Sequence, residues 1–90
     1  MHFEWDSAKA ARNLRRHQIS FEEASSIFYD PLAATGDDPD HSESEERFVT
    51  FGTSSSGQLL VVSHTERDEA IRIISACIAT RPERRIYEEG

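Results

Sequence analysis

Residues 70–77 carry the clearest hydrophobic pattern in the chain, a run of β-branched and small apolar residues that Arg72 interrupts. Such a run is typical of a buried strand. The alternation of side chains along a strand would place Arg72 on the same face as Ile74 and Ala76. Because a charged residue is unusual within an apolar strand, we interpret Arg72 as a functional residue that binds an anion.

Two further stretches of strand-forming residues precede this one, at 47–52 and 58–65. A short connection containing glycine joins them, and residues 66–69 lead from the second stretch into the strand at 70–77. Strands linked by such short connections pair antiparallel, so we expect the three strands to form a meander. Residues 59–62 are apolar on both faces, which favours a central position for their strand.

Signals for helix N-termini occur at three places in the chain. Asp6 precedes residues 8–16, which are rich in helix formers. Ser20 and Thr80 are each followed three residues later by a glutamate, which is the arrangement of a capping box. The second helix should end just before Pro31, because proline disfavours a helical conformation in the preceding residue.

The remaining segments are shorter or more polar. Phe3 and Trp5 alternate with polar residues and predict a short first strand. Residues 32–35 are compatible with a brief strand, and residues 36–46 predict an exposed acidic loop. Residues 1–90 are therefore expected to form one α+β domain, in which two N-terminal helices pack on a small antiparallel sheet and a C-terminal helix follows.

The charge of the chain restricts its partners. A formal net charge of −7 argues against a generic nucleic-acid binder, because affinity for a polyphosphate normally comes from excess Lys and Arg. The charges are segregated, however, since residues 36–46 are acidic whereas residues 9–17 and 72–85 are locally basic. The acidic cluster around Asp37 and His41 lacks the spacing of a calcium loop, so we predict no metal site.

The expected compartment follows from three absences in the sequence. Cys77 is the single cysteine, which excludes an internal disulfide and fits a reducing compartment. The N-terminus lacks the features of a signal peptide, and no apolar stretch reaches the length of a membrane span. We therefore expect a cytoplasmic protein with no membrane partner.

Basic residues form two candidate surfaces, one on a stripe of the first helix and one on the C-terminal helix. Their members are Lys9, Arg12 and Arg16 in the first, and Arg81, Arg84 and Arg85 in the second. The simplest interpretation of each surface is a solvated helix face, and the alternative is a surface that binds RNA or a partner. His64 is open to two interpretations as well, because a histidine in register with Leu60 and Val62 fits either a buried core position or a catalytic role.

Six motifs, taken in their order along the chain, resemble the BrnT family. They are FEWDSAKAARNLRRH, SFEEA, DPDHSESEERF, LLVVSHTER, RIISA and TRPERRIYEE. The resemblance implies a RelE-like fold and a ribonuclease toxin of a type II toxin–antitoxin pair that inhibits translation. It also implies a BrnA-like ribbon-helix-helix antitoxin as partner, operator DNA bound only through that antitoxin, and it allows a dimer of toxin–antitoxin heterodimers.

The residues that match the family's pattern are Asp6, Lys9, Asn13, His17, Phe21, Arg47, His64, Arg72, Ser75, Thr80, Glu83, Arg84 and Tyr87. Three positions depart from it. Gln18 stands where the family often has glycine, at a place suited to a left-handed helix C-cap. Cys77 and Ile78 replace a pair that is usually basic in the family.

The chemistry implied by the resemblance needs no metal and no cofactor, because the 2′-hydroxyl of RNA can attack the neighbouring phosphate. We expect Arg72, helped by Arg81 or Arg84, to stabilise the charge on phosphorus, and His64 to exchange protons. Tyr87 would orient a phosphate or stack on a base. The expected RNA-binding residues are Lys9, Arg12, Arg16, Arg47 and Arg85.

A non-catalytic module is the alternative: a degenerate toxin that binds its antitoxin and tunes the repression of the operon. The acidic charge and the pair Cys77 and Ile78 favour this alternative, whereas the retained Arg72 and His64 favour the enzyme. If the strand keeps its alternation, Ile78 lies on the Arg72 face, so Ile78→Lys should raise RNA cleavage and Cys77→Arg should do less.

Overall fold

The computed structural model describes residues 1–38 and 46–89 of the chain. In chain order its elements are β1 (His2–Glu4), α1 (Ser7–His17), α2 (Phe21–Ser26), a 3₁₀ turn (Ile27–Tyr29), β2 (Ala34–Asp37), β3 (Phe48–Thr53), β4 (Leu59–Arg67), β5 (Ala70–Ile78) and α3 (Arg81–Glu89). Apart from β1, the strands follow the first two helices, and the chain has a mixed α+β fold. No helix in the described part of the chain is long and apolar enough to cross a membrane.

The strands form one sheet in the order β1-β5-β4-β3-β2. The pairs β2–β3, β3–β4 and β4–β5 are antiparallel, so the predicted meander and the central position of β4 are confirmed. β1 pairs with β5 in parallel, and the prediction of a purely antiparallel sheet is wrong at this edge. A parallel pair requires a long crossover connection, and the two helices and three strands between β1 and β5 supply it.

β2 occupies Ala34–Asp37 rather than the predicted residues 32–35. Gly36 and Asp37, which the sequence placed in a loop, pair with β3 instead. The hydrophobic pattern misplaced this strand by two residues because all of its residues are exposed, so no alternation of apolar and polar residues marks its ends. Residues 39–45 of the predicted acidic loop lie outside the described residues.

The turn between β4 and β5 consists of two residues, Asp68 and Glu69. Both have positive φ angles, of 48° and 69°. This is the arrangement of a type I′ turn, whose twist matches that of the two strands it joins. Neither residue is a glycine, so the turn holds two side chains in the left-handed region of the backbone map.

A β-bulge interrupts the pairing of β4 with β5. His64 pairs with Ile73 and Ser63 pairs with Ser75, which leaves Ile74 as an extra residue without a partner across the strand pair. A bulge of this kind shifts the alternation of side chains by one position. The strict alternation predicted for residues 70–77 is therefore wrong beyond Ile74.

The bulge changes which residues share a face with Arg72. Residues opposite each other on neighbouring strands point to the same side of the sheet. Arg72 is opposite Thr65, and Cys77 is opposite Val61, so both lie on one face. Ala76 and Ile78 lie on the other face, contrary to the expectation that they would accompany Arg72.

One face of the sheet packs against α2 and the 3₁₀ turn, and we call it the helix-covered face; the other is the open face. The buried apolar residues of this packing are Ile19, Phe21, Ala24, Ile27, Leu60, Val62, Ile73 and Ala76. Gly52 of β3 also lies on this face, and a Cβ there would come within 3.0 Å of Ile27. The core therefore lies between α2 and the middle of the sheet.

Asn13 joins α1 to the part of β5 that β1 does not reach. Its Nδ2 donates to the carbonyl oxygens of Ala76, at 2.8 Å, and of Ile19, at 3.0 Å. Its Oδ1 accepts from the N–H of Ala76 at 3.1 Å. One amide side chain thus supplies both hydrogen bonds that a neighbouring strand would have given to Ala76.

The predicted N-caps are present, but the capping box predicted at Ser20 is only half formed, because the Glu23 carboxylate accepts from the hydroxyls of Ser54 and Ser56. The side chains of Asp6 and Ser20 each accept a hydrogen bond from the N–H three residues later, at 2.9 and 3.0 Å. Thr80 and Glu83 form a reciprocal capping box, with bonds of 3.3 and 2.8 Å. Gln18 is the C-cap of α1 and has a φ of 63°, which confirms the left-handed position predicted for it.

Candidate functional site

The structure places His64 and Arg72 on opposite faces of the sheet. His64 is opposite Phe48 and Ile73 on the helix-covered face. Arg72 is opposite Thr65 on the open face. The two residues that the sequence analysis combined in one reaction are therefore separated by the sheet itself.

His64 is 1% exposed and lies between two aromatic rings. The ring centroids of Phe28 and Phe48 are 5.0 and 5.8 Å from its own. Its Nε2 is 2.7 Å from the Thr50 hydroxyl, which is in turn 2.7 Å from the hydroxyl of Thr35. Burial lowers the pKa of His64 from 6.5 to about 4, so the ring is neutral at pH 7.

Arg72 remains accessible on the open face. Its guanidinium is 3.9 Å from the carboxylate of Glu4 on β1, and the two side chains are 33% and 39% exposed. Ion pairs with this exposure typically contribute only about 0–1 kcal/mol to stability, because water screens them. An anionic ligand can therefore compete with Glu4 for the guanidinium.

Extending the β3–β4 register by one residue beyond Phe48 puts Arg47 on the same face of the sheet as Arg72. Arg47 directly precedes β3, and this register places it beside Thr65. Arg72, on β5, is opposite Thr65 on the other side of β4. Neighbouring strands are about 4.8 Å apart, so the backbones of the two arginines are about 10 Å apart. Between them, the hydroxyl of Thr65 is buried and has no hydrogen-bond partner among the described residues.

A groove of about 200 Å³ runs between α1 and the bulged part of β5. The residues that line it are Lys9, Arg12, Asn13, Arg16, His17, Ile74 and Ser75. Four of them carry basic side chains, all four are exposed, and no acidic residue lines the groove. We call it the α1–β5 groove. Ser75 lies on the same face of β5 as Arg72, three residues along the strand.

Helical periodicity predicts the basic stripe of this groove, but one basic residue of the groove lies outside that stripe. Lys9, Arg12 and Arg16 lie together as predicted. His17 lies beside them and was assigned no role, although it follows Asn13 at a spacing of four and could have been found from that periodicity. Thr65 carried no signal in the sequence, because its position depends on the pairing of three strands.

The basic residues of α3 lie elsewhere. Arg81, Arg84 and Arg85 are exposed, and α3 begins beyond the end of β5. Arg72 precedes Ile78, the last residue of β5, by six positions, which corresponds to about 20 Å of strand. The structure therefore does not bring these arginines together with Arg72.

Tyr87 anchors α3 to the body of the domain. Its hydroxyl donates to Asp30 at 2.6 Å, and the same carboxylate oxygen accepts from the N–H of Thr53 at 2.8 Å. The hydrogen bond from Thr53 and then that from Tyr87 lower the pKa of Asp30, whereas the bond to Asp30 raises the pKa of Tyr87. The Tyr87 hydroxyl thus makes a structural contact at the C-terminal end of β3.

The described residues contain no group of three or more His, Cys, Asp or Glu side chains that could hold a metal ion. Asp40 and His41, which belong to the acidic cluster considered in the sequence analysis, lie outside the described residues. The fold and the site together define a small α+β domain that presents exposed cations on α1 and on the open face, which suits an anionic ligand.

Comparison with known proteins identifies the family. A family described as the ribonuclease toxin BrnT of type II toxin–antitoxin systems matches residues 5–83, and the chain belongs to this family. A solved structure with a similar fold is the 1.1 Å crystal structure of the ribonuclease toxin BrnT from Brucella abortus, with a TM-score of 0.68 and 19% sequence identity. The similarity covers 90% of this chain and 99% of that one. No curated protein matches the chain.

Proposed function

We propose that the chain is a ribonuclease toxin with a RelE-like fold, which cleaves RNA without a metal or cofactor and thereby inhibits translation in the cytoplasm. We further propose that a BrnA-like ribbon-helix-helix antitoxin neutralises it and assembles with it as a dimer of heterodimers. The complex would bind operator DNA only through the antitoxin. Membership in a family of type II toxins supports a toxin with an antitoxin partner. The observation that carries the assignment is the accessible Arg72 on the open face, next to the α1–β5 groove.

Arg72 is the residue that we assign to stabilising the reaction. When the 2′-hydroxyl attacks, negative charge grows on the phosphate oxygens, and a guanidinium can hold two of them at once. We assign Arg47 to the same phosphate or the next one along the RNA, because extending the β3–β4 register by one residue puts it across Thr65 from Arg72. The loss of one such donor typically lowers the rate on the order of a hundredfold or more.

The α1–β5 groove supplies the cations that bind the RNA backbone. Lys9, Arg12 and Arg16 line it, as does Ser75, which lies three residues from Arg72 on the same face of β5. The arginines of α3 would extend RNA binding beyond the site rather than act in it, because they lie past the end of β5. We assign His64 to the core rather than to proton exchange, because its ring is enclosed and neutral.

RNA cleavage by purified variants tests this assignment. We expect Arg72→Ala to lose about a hundredfold or more in cleavage rate. We expect the double variant Arg12→Ala and Arg16→Ala to bind RNA more weakly, with a salt dependence that is flatter by about two units of slope. Arg15→Ala is the matched control, since Arg15 is exposed on α1 but does not line the groove. If Arg72→Ala cleaves as fast as the wild type in the presence of a chelator, the assignment fails.

A specific observation favours a second candidate function, an inactive toxin that acts as an antitoxin-binding co-repressor. Cys77 stands where the family usually has a basic residue, and the bulge places it on the Arg72 face. Burial raises the pKa of the Cys77 thiol, and the charge of Glu83 adds to this effect, so the thiol supplies no charge at pH 7. Loss of a cation at this position removes a phosphate contact. RNA cleavage that appears only in Cys77→Arg would support the co-repressor function.

A further inference from the structure

A second depression, of about 720 Å³, lies between β2 and α3. Its floor is the β2–β3 part of the open face, with Val49 and Phe51, and its two lips carry Leu32 and Ile86. We call it the β2–α3 groove. β2 is three strands away from β5, which is about 14 Å at ordinary strand spacing, so the groove does not include Arg72.

Both lips of the β2–α3 groove carry large apolar side chains in contact with water. Leu32 is 73% exposed and Ile86 is 65% exposed. Isolated exposed apolar residues are common, but here they flank a floor that is itself apolar. Such a groove gains free energy when an apolar segment fills it.

The groove also runs along an unpaired strand edge. β2 is the last strand of the sheet, and within the described residues it pairs with β3 alone. All four residues of β2 are exposed. The backbone groups on the outer edge of such a strand can pair with an extended peptide, whose alternate side chains then enter the adjoining groove.

The charges of the groove restrict what can occupy it. Glu88 lines it, and no Lys or Arg is among its lining residues. Asp37 lies at its β2 edge, where its side chain is on the helix-covered face because Asp37 is opposite Phe48 and Phe48 is opposite His64. Carboxylates at a groove repel a phosphate backbone and attract cationic side chains. The groove is thus unsuited to RNA and suited to a segment that is apolar on one face and basic on the other.

We propose that the β2–α3 groove binds an extended, basic segment of the antitoxin, which adds a strand to β2 and places alternate apolar side chains between Leu32 and Ile86. The inference rests on the proposed function only for the existence of an antitoxin partner. Because Arg72 lies outside the groove, a different part of the antitoxin must cover it. The other possible occupants, a second copy of this chain or RNA, are outcomes of the test.

The test uses the antitoxin encoded in the same operon, co-expressed and purified with this chain. Hydrogen exchange of the complex should show new protection of the backbone amides in residues 34–37. A double variant, Leu32→Ser with Ile86→Ser, should weaken binding of the antitoxin about tenfold or more. Leu14→Ser is the matched control, because Leu14 is 50% exposed on α1, outside the groove, and this variant should bind as the wild type does.

A second pair of variants tests the charge of the groove. Asp37→Asn with Glu88→Gln should bind the antitoxin more weakly at low salt and with less dependence on salt. Thermal melting should show that all variants are folded. Exposed residues at these positions leave the core unchanged, so a loss of binding reports on the groove.

Several outcomes would overturn the proposal. They are unchanged affinity in the Leu32 and Ile86 variant, protection confined to α1 and β5, protection of residues 34–37 by RNA, or their protection in a dimer of the chain alone. Failure to bind the antitoxin at all would also overturn it. Failure of the ribonuclease function is distinguishable, because a chain that cleaves no RNA but binds the antitoxin through this groove would leave the proposal intact.

Discussion

Replacement of Asn13 by leucine is the most stringent test of the fold, because this side chain substitutes for a missing strand. Asn13→Leu keeps the size of the residue and removes its polar atoms. Three backbone groups then lose their partner: the N–H and the carbonyl of Ala76, and the carbonyl of Ile19. Asn13 is 6% exposed, so water cannot easily replace the lost hydrogen bonds.

The expected loss follows from these three groups. A buried polar backbone group without a partner costs about 1–3 kcal/mol, so the free energy of unfolding should fall by about 3 kcal/mol or more. For a domain of this size, each kcal/mol corresponds to roughly 4–8 °C in Tm, and the decrease should therefore exceed about 12 °C. Chemical denaturation with urea, followed by circular dichroism, measures the free energy directly.

Asn13→Asp distinguishes hydrogen bonding from packing. The carboxylate can still accept from the N–H of Ala76, but at neutral pH it has no proton to donate to the two carbonyl oxygens. Asn13→Asp should therefore be strongly destabilised at pH 7 and should recover part of that loss at low pH, relative to the wild type at the same pH, when its carboxyl group is protonated. A loss below about 1 kcal/mol in Asn13→Leu, or no recovery in Asn13→Asp, would refute the role given to Asn13.

Three other predictions concern pH, the backbone and the site. The pKa of His64 is about 4 in the folded chain and 6.5 in the unfolded chain. The contribution of neutral His64 to the free energy of unfolding is therefore complete above pH 6.5. It should be lost as the pH falls toward 4, by about 3 kcal/mol at ~1.4 kcal/mol per pKa unit; a flat difference between wild type and His64→Gln in denaturation over this range would contradict it. Gln18→Gly should raise the free energy of unfolding by up to about 1 kcal/mol, because glycine is not strained at a φ of 63°; an unchanged or lower Tm would count against this. Cys77→Arg should raise RNA cleavage more than Ile78→Lys does, whereas simple alternation along β5 would predict the opposite. A larger increase in Ile78→Lys in a cleavage assay would place Ile78, and not Cys77, at the site.

Features set by neighbouring residues could be predicted from the sequence. The caps at Asp6, Ser20 and Thr80 depend on contacts three residues apart, and the β3–β5 meander depends on short connections. A local pattern contains the information for both. The same is true of the basic stripe on α1, whose members share a face through helical periodicity alone.

Features set by distant residues could not be predicted in this way. The parallel pairing of β1 with β5 brings Glu4 beside Arg72, although they are far apart in sequence. The bulge at Ile74 arises in the register between two strands, and it moves Cys77 onto the Arg72 face. The position of His64 beside Phe28 also depends on how the 3₁₀ turn packs on the sheet. Which residues form the candidate site could therefore be determined only from the structure, whereas the anionic character of its ligand could be inferred from the sequence.

Cleavage of RNA through its 2′-hydroxyl leaves characteristic ends on the products, and these ends test the proposed ribonuclease function. The purified chain would be incubated with an RNA in the presence of a chelator, alongside the same sequence with deoxyribose at the cleaved position. Mass spectrometry of the fragments should show 2′,3′-cyclic phosphate ends from the RNA and no cleavage at the deoxyribose. Fragments that end in a 3′-hydroxyl, or cleavage at the deoxyribose, would contradict the proposed mechanism, and an intact RNA would contradict the ribonuclease function itself.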